Sequence, residues 1–172
     1  MPSGKVHDQI TIAGAVLAVP AWWFLAPPPP DWTVAAVLVG TTLFSGLMLS
    51  PDLDLHSSVY RRWGILRFLW LPYQKAVPHR SPISHSVLWG PVVRIVYFLF
   101  VAWVLFRVIT WGIAQFTPID RNGLSEQYAG TVLGLYQLYP QHTIMGGLGI
   151  LLGAFLHVAA DSIASAFKKK RR

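Results

Sequence analysis

The sequence contains no cysteine. That excludes a disulfide framework, a thiolate zinc site and a cysteine nucleophile, and it leaves His, Asp, Glu and Ser to supply any chemistry. Any metal must therefore be held through nitrogen and oxygen. Charge is also scarce, at 12% of 172 residues, with only 7 acidic side chains in the whole chain. Apolar surface is abundant instead. With 53% hydrophobic residues and a mean hydropathy of +0.47, the chain carries more of it than one soluble domain of this length would bury, so lipid is the expected solvent for much of it. The net charge of +7 matters less than where the charges lie.

Four apolar runs can be read, at roughly 9–26, 32–49, 87–111 and 143–167. Each is long enough to cross a bilayer at about 1.5 Å per residue. The expected fold is all-α, a single integral membrane domain over 1–172 with about four transmembrane helices and an interfacial cytoplasmic loop. Pro27 to Pro30 make a short, stiff connection after the first run. Residues 9–19 imitate the apolar core of a signal peptide, but the single lysine ahead of them, Pro20 beside the would-be cut and the continuation to Leu25 favour a retained span.

Orientation follows from the basic residues. Lys5, the loop residues Arg61, Arg62, Arg67, Lys75 and Arg80, and the tail Lys168 to Arg172 all fall on one side of a four-span arrangement. The other side carries only Arg121, with Arg94 and Arg107 inside the third run. By the positive-inside rule both termini and the loop of 50–86 are expected to be cytoplasmic, in a plasma or thylakoid membrane.

This topology gathers the ionisable residues at one face. His7 precedes the first run, Asp52 and Asp54 follow the second, His79 and His85 precede the third, and His157 and Asp161 close the fourth. Two histidines act as controls: His142 falls on the opposite side and is expected not to be a ligand, while His56 is a marginal candidate. Along the fourth run Gly149, Gly153, His157 and Asp161 recur every four residues, so a stripe of small side chains that faces the bundle leads to the polar pair. His7, Thr11, Gly14 and Ala18 make a similar stripe on the first. In the second, Gly40 and Gly46 would permit close packing.

Imidazole and carboxylate together suit a divalent cation, zinc first, with manganese or iron(II) compatible with the same donors. A pair such as Asp52 and Asp54, or one bridging Asp, can hold two cations. An isolated Asp-x-Asp or His-x-x-x-Asp has ordinary structural explanations: helix termination, pairing with Arg61 or Arg62, a hydrogen-bonded interfacial histidine. Their joint occurrence on one membrane face argues for a site. Asp8, Ser81 and Ser84 are candidate supporting partners, and Ser84 or Ser86 a candidate helix cap.

The stretch Arg61–Tyr73 is too short to span, and its Trp63, Phe68, Trp70 and Tyr73 are expected in the headgroup layer with the arginines among anionic lipid phosphates. Arg80 is the preferred phosphate contact. Arg94 falls on the face opposite His85 unless Pro91 kinks the helix, and Arg107 is expected to snorkel outward. Leu124 to Tyr139 forms a moderately amphipathic outer segment. The basic tail reads as a lipid contact, and no nucleic-acid motif is present.

Pro2-Ser3-Gly4-Lys5-Val6-His7-Asp8, Ser50-Pro51-Asp52-Leu53-Asp54, Arg62-Trp63-Gly64, Leu71-Pro72-Tyr73, His79-Arg80-Ser81-Pro82-Ile83-Ser84-His85 and His157-Val158-Ala159-Ala160-Asp161 resemble a bacterial, largely cyanobacterial, family of membrane proteins described as predicted metal-binding. More distantly, the order of motifs is similar to the YdjM-like inner-membrane metal-dependent hydrolases, a group linked by motif to zinc-dependent phospholipase C. The resemblance implies His7, Asp52, His79, His85, His157 and Asp161 as ligands, with Asp54 close behind, and metal-dependent hydrolysis of a phosphoester at the membrane. On that reading Asp54 or Asp161 serves as base and Arg80 contacts the phosphate. The competing expectation is a non-catalytic metal-holding scaffold or an accessory subunit of a larger membrane assembly. A transporter ranks third, because no inverted repeat is evident.

Overall fold

The structure, a computed structural model, describes residues 3–78, 81, 83–118 and 120–170. Among them there are helices and no strand, as expected for an all-α chain. The helices are α1 (Gly4–Leu25), α2 (Trp32–Met48), α3 (Ser58–Arg62), α4 (Leu71–Ala76), α5 (Trp89–Ile113), α6 (Arg121–Leu138) and α7 (Pro140–Lys170). Two 3₁₀ segments, Pro51–Asp54 and Gly64–Trp70, lie between α2 and α4. Four helices, Gly4–Leu25, Trp32–Asp54, Trp89–Ile113 and Pro140–Lys168, are long and apolar enough to cross a bilayer.

Local chemistry sets most of the boundaries. Asp31 caps α2 by accepting from the Thr33 amide at 2.8 Å, and these Thr33 contacts hold the Asp31 carboxyl below its usual value. Ser86 caps α5 through the amides of Leu88 and Trp89, and Asp120 caps α6 through those of Asn122 and Gly123. Pro91 falls in the first turn of α5, where no intrahelical donor is needed, so it does not interrupt the helix. The outer amphipathic segment is α6, packed on α5 and α7. Arg107 donates to Ser125 of α6 at 2.5 Å, so its guanidinium has a protein partner in the segment read from the sequence as outer.

Helices α1, α2 and α7 form the packed unit, and α2 against α7 is its most extensive contact. The small-residue stripe of α7 makes that contact possible. A Cβ on Gly149 would stand 2.5 Å from the Leu38 carbonyl oxygen, and one on Gly153 2.7 Å from that of Thr42. Backbone therefore approaches backbone, and Ser45 Oγ donates across the interface to the Ile150 carbonyl at 2.7 Å. Ser45→Ala is expected to lower stability by about 0.5–1.5 kcal/mol, read as a drop in the thermal midpoint in detergent. On α2, Gly46 receives Thr11 of α1, whereas Gly40 has nothing nearby, so only one of the two expected glycine contacts is used.

The connection from α2 to α5 folds onto the end of this unit. Leu49, Leu53, Val59, Tyr60, Trp70, Tyr73 and Val77 form a buried cluster completed by Trp63, Tyr97 and Phe98. Phe68 is exposed as expected for an interfacial segment, but Trp70 and Tyr73 are turned inward. Their rings pack against each other and against Tyr97, which removes more apolar area from water than an interfacial position would.

Candidate metal centre

Three chain segments, α1, the turn after α2 and α7, bring their polar side chains to one end of the packed unit. α1 begins at Gly4, so His7 sits in its second turn and not ahead of the helix; it is buried against α7. Packing against a neighbour extends a helix past the point where its sequence stops being apolar. On α7, His157 and Asp161 lie one turn apart on the face that carries Gly149 and Gly153, and both are buried.

Asp52 is delivered by the turn after α2. Ser50-Pro51 ends the helix, and Pro51–Asp54 winds as a 3₁₀ turn whose Leu53 is fully buried. The Ser57 hydroxyl donates to the Asp52 carbonyl at 2.7 Å, and the Gln74 amide donates to the carbonyls of Leu53 and Leu55. Arg62 ties the same end of the fold to α1 and α2 through Asp8 and the Leu47 carbonyl.

The result is a compact donor set. His157 Nε2 lies 3.6 Å from Asp52 Oδ1 and 3.7 Å from Asp161 Oδ2, and His7 Nε2 lies 3.3 Å from Asp161 Oδ1. The two imidazoles stack with centroids 3.9 Å apart and an interplanar angle of 15°. Ligand atoms of His7, Asp52 and His157 all fall within 4.8 Å of one another. Both Asp161 oxygens, both ring nitrogens of His157 and Nδ1 of His7 are buried with no hydrogen-bond partner among the described residues. Buried polar atoms are normally satisfied, so a set of such acceptors suits a cation.

The remaining expected site residues are placed differently. Asp54, also buried, has Tyr73 and Arg94 as electrostatic neighbours. In a 3₁₀ turn side chains two positions apart diverge, which is why Asp52 and Asp54 serve separate neighbourhoods. His85 Nδ1 lies 3.0 Å from Ser84 Oγ. His79 and Arg80 lie outside the described residues. His56 stacks on Tyr60, and His142 Nε2 lies 2.8 Å from Thr33 Oγ1, about 22 Å along α7 from His157.

Arg94 is the residue that sequence reading left undecided. It is fully buried, and its Nη1 donates to the Ser84 carbonyl at 3.1 Å, which anchors the segment leading to His85. Burial pushes the Tyr73 phenol up, with the Arg94 guanidinium beside it opposing that shift. Gly90 makes room, since a Cβ there would stand 2.9 Å from the Ser84 carbonyl oxygen and 3.1 Å from Arg94. The available signal was a lone arginine three residues after a helix-initiating proline inside an apolar run.

Residues 2–171 match the model of a family described as "Uncharacterized metal-binding protein (DUF2227)". A 56-residue stretch, 32% of this chain, is 43% identical to an uncharacterized protein of Aquifex aeolicus (strain VF5), of which it covers 39%. No solved structure matches.

Proposed function

We propose, from the premise that this chain belongs to the DUF2227 family of uncharacterized metal-binding proteins, that His7, Asp52, His157 and Asp161 bind divalent metal for hydrolysis of a phosphoester at a membrane surface. The observation that carries the metal is the buried, unsatisfied acceptor set of His7, His157 and Asp161. Zinc is the first expectation, since imidazole and carboxylate without sulfur suit it. When bound, such an ion polarises phosphoryl oxygens and lowers the pKa of water.

The chain's own residues divide the remaining tasks. Asp161, with each oxygen turned to an imidazole, holds the cation. Asp52, whose side chain is 24% exposed against 11% for Asp161, is the ligand carboxylate that solvent can reach. Asp54 and Arg94 fix the turn and the loop on either side. Arg80 remains the proposed phosphate contact on chemical grounds, because a guanidinium matches a phosphate bidentately.

Membrane insertion is part of the proposal. It is supported by the four long apolar helices and by side chains such as Leu17, Phe24, Trp103 and Phe155, which are exposed on them. The distribution of basic residues supports a site on the cytoplasmic side, where anionic headgroups would meet Arg61 and Arg67. The distant motif similarity to the YdjM-like hydrolases supports a lipid phosphoester as substrate. Burial of His157 at 2% exposure favours one alternative, a scaffold that binds metal without an open position.

Metal analysis of the purified full chain in detergent, followed by hydrolysis assays on phospholipids, separates these readings. Metal is expected in the native protein, and Asp52→Asn and His157→Ala are each expected to lower metal content and to reduce turnover at least tenfold. Metal retained with no turnover on any phosphoester would favour the scaffold. No metal in any preparation would end both.

A further inference from the structure

We infer that the site takes two divalent cations, bridged by the carboxylate of Asp161. This deepens the metal-binding proposal and rests on it. The argument starts from the stacked imidazoles of His7 and His157, with ring centroids 3.9 Å apart and planes within 15° of parallel. A ring nitrogen binds a metal along its lone pair, in the plane of the ring, at about 2.0–2.1 Å. Lone pairs in near-parallel planes do not converge within that distance. An ion midway between the rings would lie about 2 Å out of each plane, nearly perpendicular to both lone pairs.

Asp161 resolves this geometry. Its Oδ1 stands 3.3 Å from His7 Nε2 and its Oδ2 stands 3.7 Å from His157 Nε2, so each oxygen is assigned to a different imidazole. The 3.7 Å gap is wider than a hydrogen bond and the 3.3 Å gap is at its long end, and neither oxygen makes a well-formed hydrogen bond among the described residues. Such gaps suit two ligands sharing one ion. One position lies between His7 and Asp161 Oδ1. The second lies between His157, Asp161 Oδ2 and Asp52 Oδ1, which approaches His157 Nε2 to 3.6 Å. The Asp pair of the 3₁₀ turn is therefore not the bridge, because Asp52 faces His157 while Asp54 neighbours Arg94 and Tyr73.

The bridge predicts different losses from different substitutions. The position built on His157, Asp52 and Asp161 has three donors, and the one built on His7 has two from the described residues. His7→Ala should therefore remove one ion and leave the other. Asp161→Asn should abolish the coupling between them.

The test uses the full chain in detergent, stripped with a chelator and titrated with Zn²⁺ or Mn²⁺ alone. Bound metal is counted by elemental analysis, and the Mn²⁺ form is examined by electron paramagnetic resonance. Two ions per chain with a spin-coupled Mn²⁺ spectrum are expected, falling to one uncoupled ion in His7→Ala of unchanged helicity by circular dichroism. One uncoupled ion per chain in the native protein would overturn the bridge while leaving the metal-binding proposal standing. Two ions without coupling would also overturn it. No bound metal would remove both proposals, and the native count and spectrum decide between these outcomes even if every variant misfolds.

Discussion

Arg94→Met is expected to destabilise the protein by about 3–5 kcal/mol, measured as a shift in the detergent denaturation midpoint. The substitution removes a fully buried cation from beside Asp54 and Tyr73 and deletes the Nη1 bond to the Ser84 carbonyl. Removing a buried guanidinium costs more than the lost bond itself, because the polar groups it faced, the Ser84 carbonyl among them, keep their desolvation penalty. Two companion variants isolate that cause. Arg94→Lys should recover part of the loss, since it restores charge without the planar fork. Asp54→Asn combined with Arg94→Met should cost less than the sum of the single changes, because both charges are then absent. Strict additivity would show that Arg94 acts independently of Asp54, through the Ser84 carbonyl and Tyr73.

Gly153→Leu is expected to lower stability by about 3 kcal/mol, at the upper end of overpacking effects, and to cut metal content with it. The first added carbon would stand 2.7 Å from the Thr42 carbonyl oxygen and 2.9 Å from the Gly46 amide nitrogen, and backbone atoms cannot rotate away as side chains do. α7 must then withdraw from α2. His157, one turn further along, withdraws from Asp52, which sits in the turn that follows α2. Gly147 is the control on the same helix. Nothing lies within 4 Å of a Cβ there, so Gly147→Ala should be neutral or stabilising by up to about 1 kcal/mol and leave metal content unchanged. Equal effects at the two glycines would mean that the stripe is not a packing surface.

A third expectation concerns the far end of α7. His142→Ala should leave metal content at the native level, because its ring meets Thr33 and lies far along the helix from His157. Metal analysis of the purified variant checks it. A reduced count would place His142 in the metal site against the geometry.

Some of this was legible in the chain, and some of it needed the fold. The number and approximate extent of the four long apolar helices follow from apolar runs longer than about 17 residues, because a backbone away from water must satisfy its own hydrogen bonds. The facing stripe of α7 was readable because helical periodicity puts residues four apart on one side whatever packs against them. His7, Asp52, His157 and Asp161 could be nominated for the same reason, once alternating spans placed them at one end.

The fate of each nominee depended on contacts that periodicity does not describe. Asp52 and Asp54 look equivalent in sequence, yet the 3₁₀ turn sends one to His157 and the other to the neighbourhood of Arg94 and Tyr73. Trp70 and Tyr73 belong to a segment that reads as interfacial, and they are buried because Tyr97 of α5 offers them aromatic surface. Arg107 was drawn to Ser125 by a helix whose position no local pattern specifies.

By itself the sequence determined the helical class, the close-packed face of α7 and the donor types, since backbone hydrogen bonding and side-chain chemistry are local properties. The tertiary structure alone decided which carboxylate meets which imidazole, how the two rings stack and where the buried arginine finds its partners. Those depend on distances between residues far apart in the chain, and such distances are set only when the helices pack.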